Sequence, residues 1–387
     1  MSALEKRIKR HVLGTPQNAL IRFPKGFGDV CLDEVQEHFP AAGLEDNAIR
    51  LTGIDFRELT ALALQLTTAR EILWEVGKGK AETVKQVKAR VADVAWDLIF
   101  PAGAALSLRV NSTASRLFHE GKVEDLVTSE LKTKGLKVKK DSEHLLDVRL
   151  LNDYLVLSLS LSGRPLHWRG YKTELKGTAS VKEDVAASAI RAALGEFEPD
   201  HVWVPFAGSG TLGFETILAL GQIPPAIFAP PFSMDGWVCT PKASLAHKKK
   251  KRLAAAKKPP PVTFVELDQA QADHLKKNVL RFKDLAEIQV ETADALKSPR
   301  TPKAKRLFVP LNPPYGERLG KKSDTGDLFR RLAARLQGID AEVRGFVFAP
   351  TEAVADQFTT ALGTEWHLRK RAFNHGGRNT YMVTFAK

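Results

Sequence analysis

From residue 201 onward, short apolar runs recur between helix-like stretches: HVWVPF (201–206), VTFVEL (262–267), IQVETAD (288–294), RLFVPLNPP (306–314) and RGFVFAP (344–350). The intervening stretches carry apolar residues at helical spacing, as in Leu212, Phe214, Ile217, Leu218 and Leu220. A chain that alternates in this way has few folds open to it. Parallel strands need a crossover between them, and strands that are apolar on both sides need helices on both faces of the sheet. The second half, residues 164–387, is therefore predicted to be α/β, a Rossmann-like and mostly parallel doubly wound sheet entered through the helix SVKEDVAASAIRAALG (180–195).

The first half reads differently. NALIRFPKG (18–26) and GDVCLDEVQEHF (28–39) suggest a small βα element, and FRELTALALQLTTAREILWEVGKG (56–79) runs from a helix into a strand. A helix in TVKQVKARVADVAWDLIF (83–100), a strand in AALSLRVNST (104–113), a helix in KVEDLVTSELKTKG (122–135) and a hairpin turning at Asn152, Asp153 and Tyr154 follow. This is an α+β order without a repeat. The expected division is 1–60, 61–163 and 164–387, with a basic insertion near 222–261 whose run AHKKKKRLAAAKKPPP (246–261) reads as a solvated helix or insertion that could also meet phosphates.

Charge narrows the partners. Lys and Arg number 58 against 45 Asp and Glu, for a formal charge of +13 and a pI of about 9.6. Such an excess favours a polyanion, nucleic acid first, through counterion release and steering. No apolar run reaches the length of a membrane span, and the opening MSALEKRIKRH lacks the apolar segment of a secretory signal, so a cytoplasmic protein without a membrane partner is expected. Cys31 and Cys239 are far apart and lack histidines at ligand spacing, and the ten histidines contain no HExxH pair, so neither a disulfide framework nor a metal site is expected.

The stretch VPFAGSGTLGFE (204–215) reads as strand, tight turn and helix. Gly208 and Gly210 lack a Cβ, which lets the backbone approach a nucleotide-like ligand at the carboxyl edge of a parallel sheet. The next strand ends at Glu266, where a carboxylate can accept hydrogen bonds from ribose hydroxyls, and the third is followed by Asp294, which can accept from an exocyclic amine such as that of adenine. After the fourth strand, NPPY (312–315) offers the side-chain carbonyl of Asn312 and the main-chain carbonyl of Pro313, held by prolines that restrict φ. Two acceptors can grip a planar NH2 group, and Tyr315 offers a face for stacking a base.

PFAGSGT (205–211), NPPYGERL (312–319) and LHWRGYK (166–172) followed by SVKED (180–184) together resemble the THUMP-domain RNA guanine-N2 methyltransferase family, especially its bacterial members acting on large-subunit ribosomal RNA. The resemblance runs over nearly the whole chain. It implies a class I methyltransferase domain over 164–387, a ferredoxin-like segment over 1–60 and a THUMP-like RNA-binding domain over 61–163. It also implies S-adenosylmethionine as cofactor, held along Pro205, Ala207, Gly208, Ser209, Gly210, Glu266, Asp294 and Asn312, with Asn312, Pro313 and Tyr315 at the reacting amine. The RNA would be ribosomal in preference to transfer RNA. Two positions depart from the family pattern: Val204 stands where the family has Asp before Pro, and Leu311 where the wider NPPY group has Asp or Ser. The first leaves a catalytically impaired RNA-binding assembly factor as an alternative. The four grip residues would also suit an adenine or a protein glutamine.

Overall fold

A computed structural model of the chain describes residues 2–173, 180–297, 301–314 and 323–387. The chain divides into two compact units, one made of Met1–Phe23, Leu32–Trp168 and Ala229–Lys251, the other of Pro24–Cys31, Arg169–Phe228 and Arg252–Lys387.

The first unit holds β1 (Gln17–Arg22), β2 (Gly43–Glu45), β3 (Ala48–Ile54), β4 (Glu71–Lys80), β5 (Ala105–Thr113), β6 (Lys137–Val138), β7 (Leu145–Leu151) and β8 (Tyr154–Ser160). Among the described residues they form one sheet in the order β2-β3-β1-β4-β8-β7-β5-β6. Pairing is antiparallel except where β5 meets β6 and β7. The sheet is continuous across the expected 60/61 boundary, because β1 pairs with β4 from Asn18↔Glu75 to Arg22↔Glu71. The hairpin foreseen around Asn152 is β7 and β8, turning through Asn152 and Asp153 at φ +49° and +60°. The helix read in 83–100 is Val84–Ala92, opened by a capping box between Thr83 and Gln86.

The second unit holds β9 (His201–Pro205), β10 (Val262–Glu266), β11 (Ile288–Thr292), β12 (Arg306–Leu311), β13 (Glu342–Ala349), β14 (His367–His375) and β15 (Arg378–Ala386). Among the described residues the order is β11-β10-β9-β12-β13-β15-β14. Strands β9 to β13 are parallel, and β15 runs antiparallel between β13 and β14. Alternate side chains feed two separate cores. Val202, Val204, Phe264 and Phe308 pack with the helices Glu183–Leu194 and Thr211–Leu220. Trp203, Val265, Leu307 and Val309 pack with Ser323–Gln337 and Glu352–Leu362 on the other face. The apolar strands thus bury both faces, as the alternation predicted. The last hairpin, β14 and β15, was not foreseen; its two-residue turn is Gly376 and Gly377 at φ +59° and +81°, the pair of positive dihedrals a tight hairpin needs.

Two extents differ from expectation. Ala229–Lys251, expected as part of an insertion in the second domain, belongs to the first unit. Its Met234 and Val238 amides donate to the carbonyls of Leu161 and Ile99, Ser233 Oγ lies 2.9 Å from His144 Nδ1, and the Trp237 ring packs 5.7 Å from that of Trp74. Buried aromatic and aliphatic side chains, rather than the basic run, decide where this stretch goes. The basic run itself forms the helix Lys242–Ala254, with Leu245 buried and Lys248 paired to Glu58. Conversely, Pro24–Cys31 belongs to the second unit, where Phe27 packs 5.3 Å from Phe373 and Asp29 forms a two-pronged ion pair with Arg371 at 2.6 Å.

Candidate active site

The sheet of the second unit changes direction of winding between β9 and β12, since β10 and β11 lie to one side and β12 and β13 to the other. Ligands of open α/β sheets bind at the carboxyl ends of the strands flanking such a point. Here the two strands pair only at Leu307↔His201 and Phe308↔Val202. Beyond that register their carboxyl ends part, and a cavity of about 810 Å³ opens, walled by the ends of β9, β10, β11 and β12 and by the helix that follows β12.

The turn after β9 forms the floor. Phe206 adopts φ +62°, Gly208 φ +54° and Gly210 φ +92°. For Phe206 this is a strained conformation, worth about 1–3 kcal/mol, that the surrounding hydrogen bonds must hold. The Ala207 amide donates to the Val265 carbonyl at 3.0 Å and the Gly210 amide to the Ala207 carbonyl at 2.9 Å. Asn278, buried on the helix Gln269–Val279, donates to the Ser209 carbonyl at 3.2 Å. The two glycines serve different needs. At Gly208 an added Cβ would meet nothing within 4 Å, so the requirement is its positive φ; at Gly210 it would lie 2.4 Å from Phe214 and 2.6 Å from Leu275, so the requirement is also close packing of the helix.

Of the residues read from the sequence, Ala207, Gly208, Ser209, Glu266, Asp294 and Asn312 line the cavity together. Pro205, Gly210 and Pro313 do not. Pro205 ends β9 in register with Val265, Gly210 packs against Phe214 and Leu275, and Pro313 is buried between the wall residues Asn312 and Pro314 in the chain. Tyr315 lies outside the described residues. Val204 is 1% exposed in the core beneath the helix Thr211–Leu220, so its departure from the family pattern takes no group from the wall. Leu311 is likewise wholly buried, in the opposite core.

The acids are partly engaged. Glu266 accepts the Gly208 amide at 2.7 Å on one oxygen and the Asp268 amide at 3.1 Å on the other. Asp294 accepts the Leu296 amide at 2.9 Å. Each carboxylate oxygen has two acceptor positions, so both side chains keep capacity toward the cavity. Asn312 differs: its Oδ1 is buried and has no hydrogen-bond partner among the described residues. An unsatisfied buried acceptor costs about 1–3 kcal/mol.

Sequence reading missed Phe206, Leu267, Leu296 and Arg331 in the wall. It also missed what the HWRGYK stretch does. Arg169 and Tyr171 are buried beside the helix Thr211–Leu220, and Lys172 is half-buried next to them with its side chain turned inward. The Tyr171 hydroxyl donates to Glu215 Oε1 at 2.7 Å, and Arg169 Nε lies 3.4 Å from the same oxygen. Lys172 Nζ donates to Thr211 Oγ1 and Ser180 Oγ, both at 2.7 Å, and sits 3.3 Å from Glu183 Oε1. Ser180 and Thr211 are cavity residues, so this lysine ties two parts of the wall. Burial pushes the Glu183 carboxyl up to about 7, against the pull of Lys172 and with the help of Glu215. Burial also raises the Glu215 carboxyl, although Arg169 and Tyr171 favour its charged form. Among the described residues, no group of three or more His, Cys, Asp or Glu side chains is gathered to hold a metal ion, and no helix is long and apolar enough to cross a membrane.

Comparison with solved structures finds the same architecture over almost the whole chain. SMU.472 complexed with SAH aligns with a TM-score of 0.77 at 19% identity, over 96% of this chain and 98% of that one. TrmN from Thermus thermophilus aligns with a TM-score of 0.71 at 20% identity, over 96% and 99%. Among curated proteins, the chain is 27% identical over 331 residues to the ribosomal RNA large subunit methyltransferase K/L of Shewanella baltica (strain OS185), covering 81% of this chain and 46% of the relative. The Shewanella oneidensis protein of that name is 26% identical over 331 residues, with the same two shares. The chain therefore spans about half the length of the curated relatives it matches. Residues 169–382, more than half of the 387 residues and nearly all of the unit that holds the cavity, match the family model UPF0020, RMKL-like, methyltransferase domain, and the chain belongs to that family.

Proposed function

We propose that this protein is an S-adenosylmethionine-dependent RNA methyltransferase that transfers a methyl group to the 2-amino group of a guanosine, with large-subunit ribosomal RNA as the substrate in preference to transfer RNA. The observation that carries the reading is the buried Oδ1 of Asn312, a residue of the cavity wall, which has no hydrogen-bond partner among the described residues. Buried acceptors without partners are rare in folded proteins, and for one that belongs to a residue of a cavity wall a ligand can bring the missing donor.

The wall suits the cofactor. Glu266 has free acceptor positions for ribose hydroxyls, Asp294 for an adenine amine, and Leu267 and Leu296 offer apolar surface for a flat ring. The first amides of the helix Thr211–Leu220 have no side-chain cap and can receive a carboxylate. The cofactor, when bound, supplies an electrophilic methyl group. That SMU.472 holds SAH in the same fold supports this assignment.

An aromatic amine is a weak nucleophile because its lone pair is delocalised into the ring. Asn312 Oδ1 accepts one of its protons and the Pro313 carbonyl, joined to the wall residue Pro314, accepts the other, which draws the nitrogen toward tetrahedral geometry. Neither group needs to remove a proton before attack: as the N–CH3 bond forms, the S–CH3 bond would break with its electrons kept by the departing thioether, and the extra N–H proton would pass to solvent afterwards. Alignment is then the chief contribution, and well-oriented reactants gain about 7–11 kcal/mol from it. The base must leave its stack to reach Asn312, and Tyr315 is proposed to compensate part of that cost by stacking. In the first unit, residues 1–60 are proposed as a ferredoxin-like segment and 61–163 as a THUMP-like RNA-binding domain, consistent with the +13 charge of the chain and with the substrate named for the Shewanella relatives.

The test is transfer of a labelled methyl group from S-adenosylmethionine to unmodified, in-vitro-transcribed large-subunit ribosomal RNA, with nucleoside analysis of the product. N2-methylguanosine is expected. Label in another nucleoside would correct the base, and no label from protein that binds cofactor would remove the proposed activity.

A further inference from the structure

The charges in the cavity wall are segregated. Glu266, Asp268 and Asp294 come from the ends of β10 and β11, whereas Arg331 is the one basic side chain among the described residues of the wall, and it comes from the other side of the switch point, on the helix that follows β12. It lies on the helix Ser323–Gln337, three residues after Leu328, and the two share the face turned to the cavity.

Its neighbours on the helix are accounted for. Arg330 pairs with Asp327 at 3.5 Å. Arg335 donates to Thr301 Oγ1 at 2.6 Å and lies 5.4 Å from the centre of the Trp203 ring. Arg331 has neither an ion pair nor a hydrogen bond among the described residues, and its side chain is exposed. A guanidinium keeps its charge at any physiological pH and carries five donors. On the acidic side of the cavity it would have been paired with a carboxylate. On this side no described residue of the wall carries a negative charge, so the guanidinium is open to an anion that arrives with a ligand.

We propose that Arg331 binds a phosphate adjoining the target nucleotide of the RNA. This rests on the reading that Asn312 holds the base amine: a base held there carries its sugar and phosphates to the same side of the cavity. The carboxylate of the cofactor has a separate candidate partner in the first amides of the helix Thr211–Leu220, which no side chain caps.

The test measures equilibrium binding of in-vitro-transcribed large-subunit ribosomal RNA between 50 and 200 mM salt, by the full chain and by Arg331→Gln and Arg331→Lys. A lost phosphate contact lowers the log–log salt slope by about 0.7–0.9. Arg331→Gln is expected to show that drop together with RNA binding weakened about 5–10-fold at low salt, at unchanged S-adenosylmethionine affinity, and Arg331→Lys is expected to keep the slope. An unchanged slope in the glutamine variant overturns the proposal. So does a loss of cofactor affinity, which would put the anion on the cofactor, or a lysine variant as weak as the glutamine one, which would indicate a forked contact to a base. Because the side chain is exposed, both variants are expected to fold with the parent Tm. Binding is read without turnover, so a wild-type protein that binds RNA but transfers no methyl would remove the proposed reaction and leave the phosphate contact to be decided by the slope.

Discussion

The Gly208 amide donates to the Glu266 carboxylate at 2.7 Å, so the acid that ends β10 closes onto the turn that ends β9. One side chain thereby shapes the floor of the cavity and keeps acceptor capacity at its wall, where the proposed cofactor would sit. Glu266→Ala removes both contributions at once. Hydrogen bonds to charged groups are worth about 1.5–3 kcal/mol, so S-adenosylmethionine affinity measured by calorimetry should fall about 10–100-fold. Glu266→Gln keeps one acceptor and should lose less. Equal affinity in the alanine variant would take Glu266 out of the cofactor site.

Gly213 offers a sharper test of the packing beneath that turn. An exposed helix glycine replaced by alanine gains about 1 kcal/mol. Here the new Cβ would lie 2.2 Å from Phe264 and 3.2 Å from Val204. Overpacking of this kind costs about 1–3 kcal/mol, enough to reverse the sign. Gly213→Ala should therefore lower the denaturation midpoint, and adding Phe264→Leu should restore part of it. A stabilised single variant would show that the helix can lift from the sheet freely.

How much of this was legible beforehand depended on the range of the interaction. Strands β9 to β13 announce themselves because each apolar run is local, and the ends of those runs put Glu266, Asp294 and Asn312 at one edge. The pairing of Tyr171 with Glu215, and of Asn278 with the Ser209 carbonyl, joins residues 44 and 69 positions apart and leaves no local pattern. Arg331 and Leu267 reach the wall for the same kind of reason. The last hairpin was missed although Gly376-Gly377 is a turn signal, because β14 reads HLRKRAFNH, an exposed strand with too many charges to look apolar. Ala229–Lys251 joins the first unit through the buried Met234 and Trp237, single apolar residues that form no periodic pattern beside a conspicuous lysine run.

Glu183 should leave a mark on the pH dependence of stability. Its carboxyl is pushed from 4.5 up to about 7 in the fold, chiefly by burial. Between those two values the folded protein holds a proton that the unfolded chain has released, so this group's contribution to stability is complete below about 4.5 and is lost as the pH rises through about 7. Glu183→Gln removes that titration. The stability of the variant relative to the parent should therefore rise between pH 5 and pH 8, by on the order of 1–3 kcal/mol. Denaturant melts at several pH values would measure it; a flat difference would mean that Lys172 keeps the carboxylate charged throughout.

Asn312 separates stability from activity. Its Oδ1 is buried without a partner among the described residues, so Asn312→Ala breaks no hydrogen bond seen at that atom and removes a group whose burial is unfavourable. The variant is expected to be as stable as the parent or more stable by about 1 kcal/mol. Methyl transfer should nevertheless collapse, because the acceptor acts when the amine pyramidalises toward the transition state; removal of one such preorganised group costs about 10²–10³ in kcat. Cofactor and RNA affinities should stay within about threefold, which places the loss in kcat rather than in ground-state binding. A structural role for the asparagine would give the reverse, a lower Tm with turnover of the folded fraction unchanged. A variant that is stable, binds both ligands and still turns over normally would show that the amine is held elsewhere.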